Sequence, residues 1–156
     1  MSIPQPIRSY LDEHKIPFEV IHHRRDYTAQ ETAADTHTKG KEFAKTVILY
    51  VDNNYCMAVL PATYQLDLEK IKNVLKAKEV NLASEEEISG ICADCEVGAM
   101  PPLGRLYDLP VYVSHHLAED DMITFNAGTH EDVIRMKYRE FAELVQPVVI
   151  DLTVTH

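Results

Sequence analysis

Residues 44–60, AKTVILYVDNNYCMAVL, decide which fold the sequence predicts. The first eight are almost all apolar or β-branched, as strand residues are, and Asp52, Asn53 and Asn54 follow as turn residues. A second apolar run, YCMAVL, comes directly after the turn. Two such runs separated by Asp and Asn are typical of a β-hairpin. The sequence therefore predicts two central antiparallel strands, and Lys45 lies near the start of the first.

Helix and strand signals alternate on both sides of this hairpin. Thr28 with Glu31, and Ser84 with Glu87, have the spacing of capping boxes, and Asp67 can cap a helix whose apolar side chains include Val74. The predicted helices begin near residues 6, 28, 67, 84 and 138, and the other predicted strands cover residues 18–22, 80–82, 111–114, 122–126, 133–136 and 148–154. This order predicts one α+β domain over residues 1–156, a mixed, curved and mainly antiparallel sheet with flanking helices.

The composition is that of a globular protein with an acidic second half. The chain has 156 residues, 26% of them charged, and a formal net charge of -10. Residues 81–156 contain 14 acidic and 4 basic residues and so hold the whole excess. Duplex binding draws on Lys and Arg, so DNA is not expected as a partner. No apolar run reaches the roughly 18 residues that cross a bilayer. The sequence predicts a cytoplasmic protein without a membrane partner.

The cysteines and paired histidines suggest no metal site. Cys92 and Cys95 form a CxxC pair without the second pair that a structural zinc requires, and reduced thiols are expected for them and for Cys56. Residues 22–23 and 115–116 are His-His pairs in strand-like segments, where neighbouring side chains point to opposite faces. We therefore expect neither a metal nor a cofactor.

Lys45 is the first candidate functional residue. It opens an otherwise apolar strand, and an ammonium is costly to bury without a partner. Two interpretations follow: the side chain reaches solvent along the protein surface, or it is held for an anionic ligand. Spacing alone favours the first.

Two polar or irregular segments are further candidates. Residues 98–104, GAMPPLG, combine glycines that let a ligand approach the backbone with prolines that fix one shape. Such a loop either lines a pocket or only connects elements of the sheet. Gly128, Thr129 and His130 bring backbone, hydroxyl and imidazole groups together, either to bind polar substrate atoms or to form an ordinary tight turn.

These residues occur in an order that resembles the YbaK and prolyl-tRNA-synthetase-associated editing domain family. The resemblance covers roughly residues 18–147. It is carried by residues 28–35 (TAQETAAD), Gly40, residues 44–49 (AKTVIL), 60–61 (LP), 66–68 (LDL), 83–87 (ASEEE), 98–104, 109–113 (LPVYV) and 128–130 (GTH). Lys45 matches the functional lysine of this family, and Gly98 to Pro102 match its Gly-x-x-x-Pro loop.

Family members remove wrongly attached amino acids from tRNA, especially from tRNA for proline. The resemblance implies a trans-acting aminoacyl-tRNA deacylase that needs no metal or cofactor and meets the 3′ end of aminoacyl-tRNA, with or without help from a synthetase. It implies a catalytic role for Lys45, which holds the phosphate or ester region, and for Gly98, whose loop faces the carbonyl. The residues expected to bind substrate are Thr28, Thr46, Pro102, Gly128, Thr129 and His130.

Two alternatives remain at this point. The chain could be a ligand-binding or regulatory module that keeps the pocket without turnover. A third interpretation makes Cys95 the nucleophile of a thiol hydrolase, although no ordered Cys-His-acid set accompanies it.

Overall fold

A computed structural model describes residues 3–26 and 28–155 of the chain. Its elements, in chain order, are α1 (Gln5–Glu13), β1 (Glu19–His22), α2 (Ala29–Asp35), β2 (Phe43–Val51), β3 (Asn54–Pro61), α3 (Leu68–Leu75), β4 (Val80–Leu82), α4 (Glu85–Ile91), a 3₁₀ helix (Gly104–Tyr107), β5 (Val111–Ser114), α5 (His115–Ala118), β6 (Met122–Asn126), β7 (Asp132–Lys137), α6 (Tyr138–Val145) and β8 (Val148–Ile150). None of the helices in the described part is long and apolar enough to cross a membrane.

The strands form a single mixed sheet in the order β1-β7-β6-β2-β3-β5-β8, with β4 beside β2. The antiparallel pairs are β1–β7, β2–β3, β2–β4 and β6–β7, and the parallel pairs are β2–β6, β3–β5 and β5–β8. The predicted α+β fold with a mixed sheet is confirmed. The extent of one domain over residues 1–156 stays a prediction.

The central hairpin forms as predicted. Its register runs from Val51 opposite Asn54 to Ala44 opposite Pro61, and Asp52 and Asn53 both have positive φ, 44° and 72°. Two-residue hairpin turns favour this conformation, which Asp and Asn adopt more readily than most residues. The Asp52 carboxylate also accepts hydrogen bonds from the backbone N–H groups of residues 78 and 79, which lower its pKa. The turn thereby anchors the approach to β4.

Strand β2 has a gap in its pairing that bears on the candidate site. On the side away from β3 it pairs with β6 at Phe43 and Ala44, and with β4 at residues 49–51. Among the described strands, none pairs with β2 on this side at residues 45–48. Lys45 therefore lies where the sheet opens, one residue beyond the contact between β2 and β6.

Three local predictions were wrong. His115 and His116 begin α5 instead of extending β5, so their rings meet instead of diverging, with centroids 4.0 Å apart. Val74 is 44% exposed, because α3 turns only its other side inward and buries Ile71. The last strand, β8, ends at Ile150, and beyond it only an isolated bridge at Thr153 continues the pairing.

Gly128 has to be glycine for two reasons. Its φ is +91°, and a Cβ atom placed there would lie 2.7 Å from Cγ of Pro4 and 3.2 Å from Cδ1 of Ile7. The turn between β6 and β7 therefore packs directly beneath the start of α1. Helix α1 itself buries Ile7 and Leu11 in the main core.

Replacing Gly128 by Ala should lower the free energy of unfolding by more than ~1 kcal/mol. The backbone strain of a side chain at positive φ and the cost of the steric clash with Pro4 both destabilise the folded state. Gly90 is the matched control, since it lies in α4 and a Cβ atom placed there would have no neighbour within 4 Å. Gly90→Ala should raise the free energy of unfolding by up to ~1 kcal/mol. Chemical denaturation measures both changes, and shifts of the same sign would contradict this account.

Candidate functional site

Lys45 lines a cavity of about 250 Å³, called here the Lys45 cavity. Its other lining residues are Thr28, Ala29, Ala62, Thr63, Tyr64 and Gln65. They come from the start of α2 and from the segment that follows β3. Most of this wall is polar, with hydroxyl and amide groups facing an ammonium. A small polar ligand with a negative charge suits this composition.

The ammonium of Lys45 is half-buried, and the described residues place no counterion beside it. Within the described residues it forms no ion pair and no side-chain hydrogen bond, and burial alone lowers its pKa. A buried charge without a partner is costly, and an anion in the cavity would remove that cost. The side chain is partly enclosed in a cavity that also opens to solvent, so the binding of an anion by Lys45 stays a prediction.

A second set of candidates is held together by backbone hydrogen bonds. The N–H of Gly128 donates to the carbonyl of Ala99 at 2.8 Å, and the N–H of Glu96 donates to the carbonyl of Gly128 at 2.8 Å. Nε2 of His130 lies 2.6 Å from the carbonyl oxygen of Val97. Because a carbonyl only accepts, the hydrogen in this bond lies on Nε2. The β6–β7 turn thus clamps the loop that contains Gly98.

Within the clamped loop, Gly98 is exposed and the following residues are buried. Its φ is +82°, and a Cβ atom there would meet only the ring of His130, at 3.6 Å, an ordinary van der Waals contact. The glycine is therefore required by backbone conformation and not by crowding. Pro102 lies in the buried part of the loop, where its ring restricts the backbone conformation.

Arg25 connects the clamped loop with the approach to the Lys45 cavity. Its guanidinium lies 2.8 Å from the carboxylate of Glu96 and 3.3 Å from that of Glu131. Three residues later, Thr28 lines the Lys45 cavity. On the neighbouring strand, Phe125 of β6 pairs with Ala44, the residue before Lys45. Strand β6 ends one residue later, where the turn to β7 begins. The sequence does not reveal these contacts of Arg25, because its two carboxylate partners lie 71 and 106 residues away along the chain.

The three threonines expected to bind substrate differ in position. The hydroxyl of Thr28 caps α2 by accepting the N–H of Glu31, and the hydroxyl of Thr129 donates to Asp132 at 2.8 Å. Thr46 adjoins Lys45 on β2, and adjacent strand residues point to opposite faces of the sheet. Their substrate contacts stay predictions, and the structure already gives two of the hydroxyls intramolecular partners.

One group of side chains could hold a metal by distance alone. Ligand atoms of His23, Asp26 and Asp35 all lie within 4.8 Å of one another. The guanidinium of Arg24 lies 2.6 Å from Asp35 and 3.4 Å from Asp26, so a cation already balances the carboxylates. Burial raises the pKa of Asp26, whereas the hydrogen bonds from Asp26 and Arg24 lower the pKa of Asp35. We assign no function to this cluster.

The cysteines differ from the prediction of three reduced thiols. Cys92 and Cys95 form a disulfide at the end of α4, directly before the clamped loop. A disulfide sulfur is neither a zinc ligand nor a free nucleophile, which removes both roles in this state. Cys56 is free and buried, and burial raises its pKa to about 11.

Alkylation of the folded protein should therefore depend on reductant. Near pH 8 iodoacetamide should label no cysteine before reduction, and two after mild reduction, as counted by intact mass. Cys56 should stay unlabelled because it is buried and protonated. Labelling of two or three thiols without reductant would show that the disulfide does not form.

Replacing Lys45 by Met should leave the protein as stable or more stable. The methionine keeps most of the apolar stem and removes a half-buried charge without a partner. A single stabilising substitution commonly raises the free energy of unfolding by about 0.5–2 kcal/mol. Lys137→Met, at an exposed lysine, should stay within about 0.5 kcal/mol of the parent. Destabilisation by Lys45→Met alone would mean that Lys45 has a structural partner.

Comparisons with known proteins identify relatives. A family model described as the aminoacyl-tRNA editing domain matches residues 23–144. The proline–tRNA ligase of Bacillus cytotoxicus is 30% identical over 89 residues, which cover 57% of this chain and 16% of the ligase. That of Bacillus cereus is 26% identical over 121 residues, which cover 78% of this chain and 21% of the ligase. The chain thus matches about a fifth of these ligases.

A solved structure shares the fold over nearly its whole length. It is described as a candidate trans-editing enzyme for prolyl-tRNA synthetase and superposes with a TM-score of 0.85. The alignment covers 99% of this chain and 100% of the other, at 20% sequence identity. At that identity the likeness establishes the fold.

Proposed function

This chain belongs to the aminoacyl-tRNA editing domain family, and from that premise we propose that it is a trans-acting deacylase of mischarged aminoacyl-tRNA. The half-buried ammonium of Lys45, which lies in a polar cavity and has no counterion in the described part of the chain, carries the proposal. The similarity to proline–tRNA ligases favours tRNA for proline as the substrate. In this role the protein is a cytoplasmic hydrolase that supports the fidelity of translation.

The reaction is hydrolysis of an ester. Water adds to the carbonyl carbon, the carbonyl oxygen gains negative charge, and the bond to the ribose oxygen then breaks. The products are the free amino acid and a tRNA whose ribose hydroxyl has taken up a proton. An aminoacyl ester is already activated, so positioning of water and stabilisation of the oxyanion supply most of the acceleration.

Lys45 and Gly98 have separate tasks in this proposal. The ammonium of Lys45 holds the phosphate or ester region of the terminal adenosine, because it is the cation among the described residues that line the cavity. The loop at Gly98 brings backbone N–H groups to the carbonyl, and its positive φ allows that approach without a side chain in the way. Lys45 thus supplies charge, and Gly98 supplies access.

His130, Gly128 and Thr129 act as positioning residues. The hydrogen bond from His130 to Val97 and the bond from Gly128 to Ala99 fix the loop from both sides of Gly98. Thr129 stabilises the turn through Asp132. A general-base role for His130 ranks below this one, because its Nε2 is already engaged with the loop.

The direct test is deacylation of a panel of tRNAs charged with alanine, serine, cysteine or threonine. The parent protein should release at least one of these amino acids, and Lys45→Met should lower kcat/KM by at least about 10²-fold, as loss of one oxyanion or phosphate contact does. Lys137→Met should match the parent. Activity should persist in EDTA, since no step requires a metal.

Other results would favour other functions. Binding of small ligands without turnover on any charged tRNA would indicate a regulatory module. Loss of activity in Cys95→Ser under reducing conditions, with Lys45→Met still active, would indicate a thiol hydrolase.

A further inference from the structure

The backbone around Gly98 forms a tight turn that begins at Glu96. The N–H of Ala99 donates to the carbonyl of Glu96 at 3.0 Å, which closes a four-residue β-turn over residues 96–99. Gly98 is the third residue of this turn and has a φ of +82°, whereas Val97, the second, is not among the described residues with positive φ. This combination defines a type II turn. The turn type therefore fixes the orientation of the peptide between Val97 and Gly98.

This orientation leaves the N–H of Gly98 open to a ligand. The carbonyl of Val97 accepts a hydrogen bond from Nε2 of His130 at 2.6 Å. The C=O and N–H groups of a trans peptide point in opposite directions, so the N–H of Gly98 points away from His130. Gly98 is exposed, and among the described residues this N–H has no acceptor. The turn thus presents one unused backbone donor.

The carboxylate of Glu96 connects the turn to two other parts of the site. One of its oxygens accepts from the N–H of His130 at 2.7 Å, and the other accepts from the guanidinium of Arg25 at 2.8 Å. Burial raises the pKa of Glu96, but the hydrogen bonds from Arg25 and His130 outweigh burial, and the pKa lies below its ordinary value. The carboxylate is therefore ionised near neutral pH, and both bonds are charge-assisted.

We propose that Glu96 is a positioning residue for the N–H of Gly98, which donates to the oxyanion during hydrolysis of the ester. This inference rests on the proposed function, in which N–H groups of the Gly98 loop face the carbonyl. Glu96 anchors the first residue of the turn, and the bond from Gly128 anchors the last, Ala99. A donor held in place before the reaction stabilises the developing charge, and a small displacement of it is costly.

The carboxylate of Glu131 provides a matched control. It lies 3.3 Å from the same guanidinium of Arg25, and its side chain is 28% exposed, compared with 30% for Glu96. Within the described part of the chain, this carboxylate does not bond to residues 96–99. Glu131→Gln therefore removes an ion pair of Arg25 and leaves the anchor of the turn intact.

The kinetic test separates turnover from substrate binding. Glu96→Ala should lower kcat for the aminoacyl-tRNA that the parent cleaves by about 10- to 10²-fold, with a change in KM of less than about 3-fold. Glu96→Gln keeps an oxygen that can accept from His130, so its kcat should lie between those of the parent and the Ala variant. Glu131→Gln should match the parent. Unchanged kcat in Glu96→Ala, a rise in KM alone, or an equal loss of kcat in Glu131→Gln would overturn the inference.

Failure of the proposed function is distinguished by a measurement that needs no turnover. Amide hydrogen exchange, followed residue by residue by NMR, should become faster on the order of 10-fold at Ala99 and His130 in Glu96→Ala, because both N–H groups donate to Glu96. It should not change in Glu131→Gln. This pattern supports Glu96 as the anchor of the turn even if the parent cleaves no ester, and unchanged exchange at both amides refutes it. Thermal unfolding of each variant gives the folded fraction to which its rates are normalised.

Discussion

The pairing of β2 is the constraint on which the site depends. This strand is fully paired with β3 on one side, while its other side is shared between β6 and β4. Neither of these described strands pairs with residues 45–48, although the N–H of Ala83, just beyond β4, donates to the carbonyl of Ile48 at 2.9 Å. Lys45 lies at the start of this unpaired stretch, and its side chain lines the Lys45 cavity. A charged side chain is thus placed within the sheet while β2 continues unbroken to Val51.

Local signals predicted most of the secondary structure. Capping boxes at Thr28 and Ser84 and the turn at Asp52 depend on residues within four positions of each other, so the sequence displays them directly. The α5 helix was missed because four residues leave no periodic pattern and His115 and His116 follow a genuine strand. The parallel pairing of β2 with β6 joins residues about eighty positions apart, which no local pattern reveals.

The candidate site was predictable to a smaller extent. Lys45 and Gly98 became candidates because each is unusual for its surroundings, a charge in an apolar strand and a glycine in a proline-rich loop. The contacts that hold the loop in place were not predicted. They are made by backbone groups of Glu96, Ala99 and Gly128, and every residue type has such groups. The disulfide between Cys92 and Cys95 depends on how α4 ends, and CxxC spacing alone does not determine it. The family resemblance implies roles for these residues, and the structure describes the contacts through which those roles can be tested.

The bond between His130 and Val97 ties the conformation of the loop to one side chain. The two bonds of Gly128 in the clamp join backbone groups, whereas the bond from Nε2 is lost when the ring is replaced by a side chain without a donor. The backbone around Gly98 is therefore sensitive to a substitution at a residue that lies far from it in the sequence.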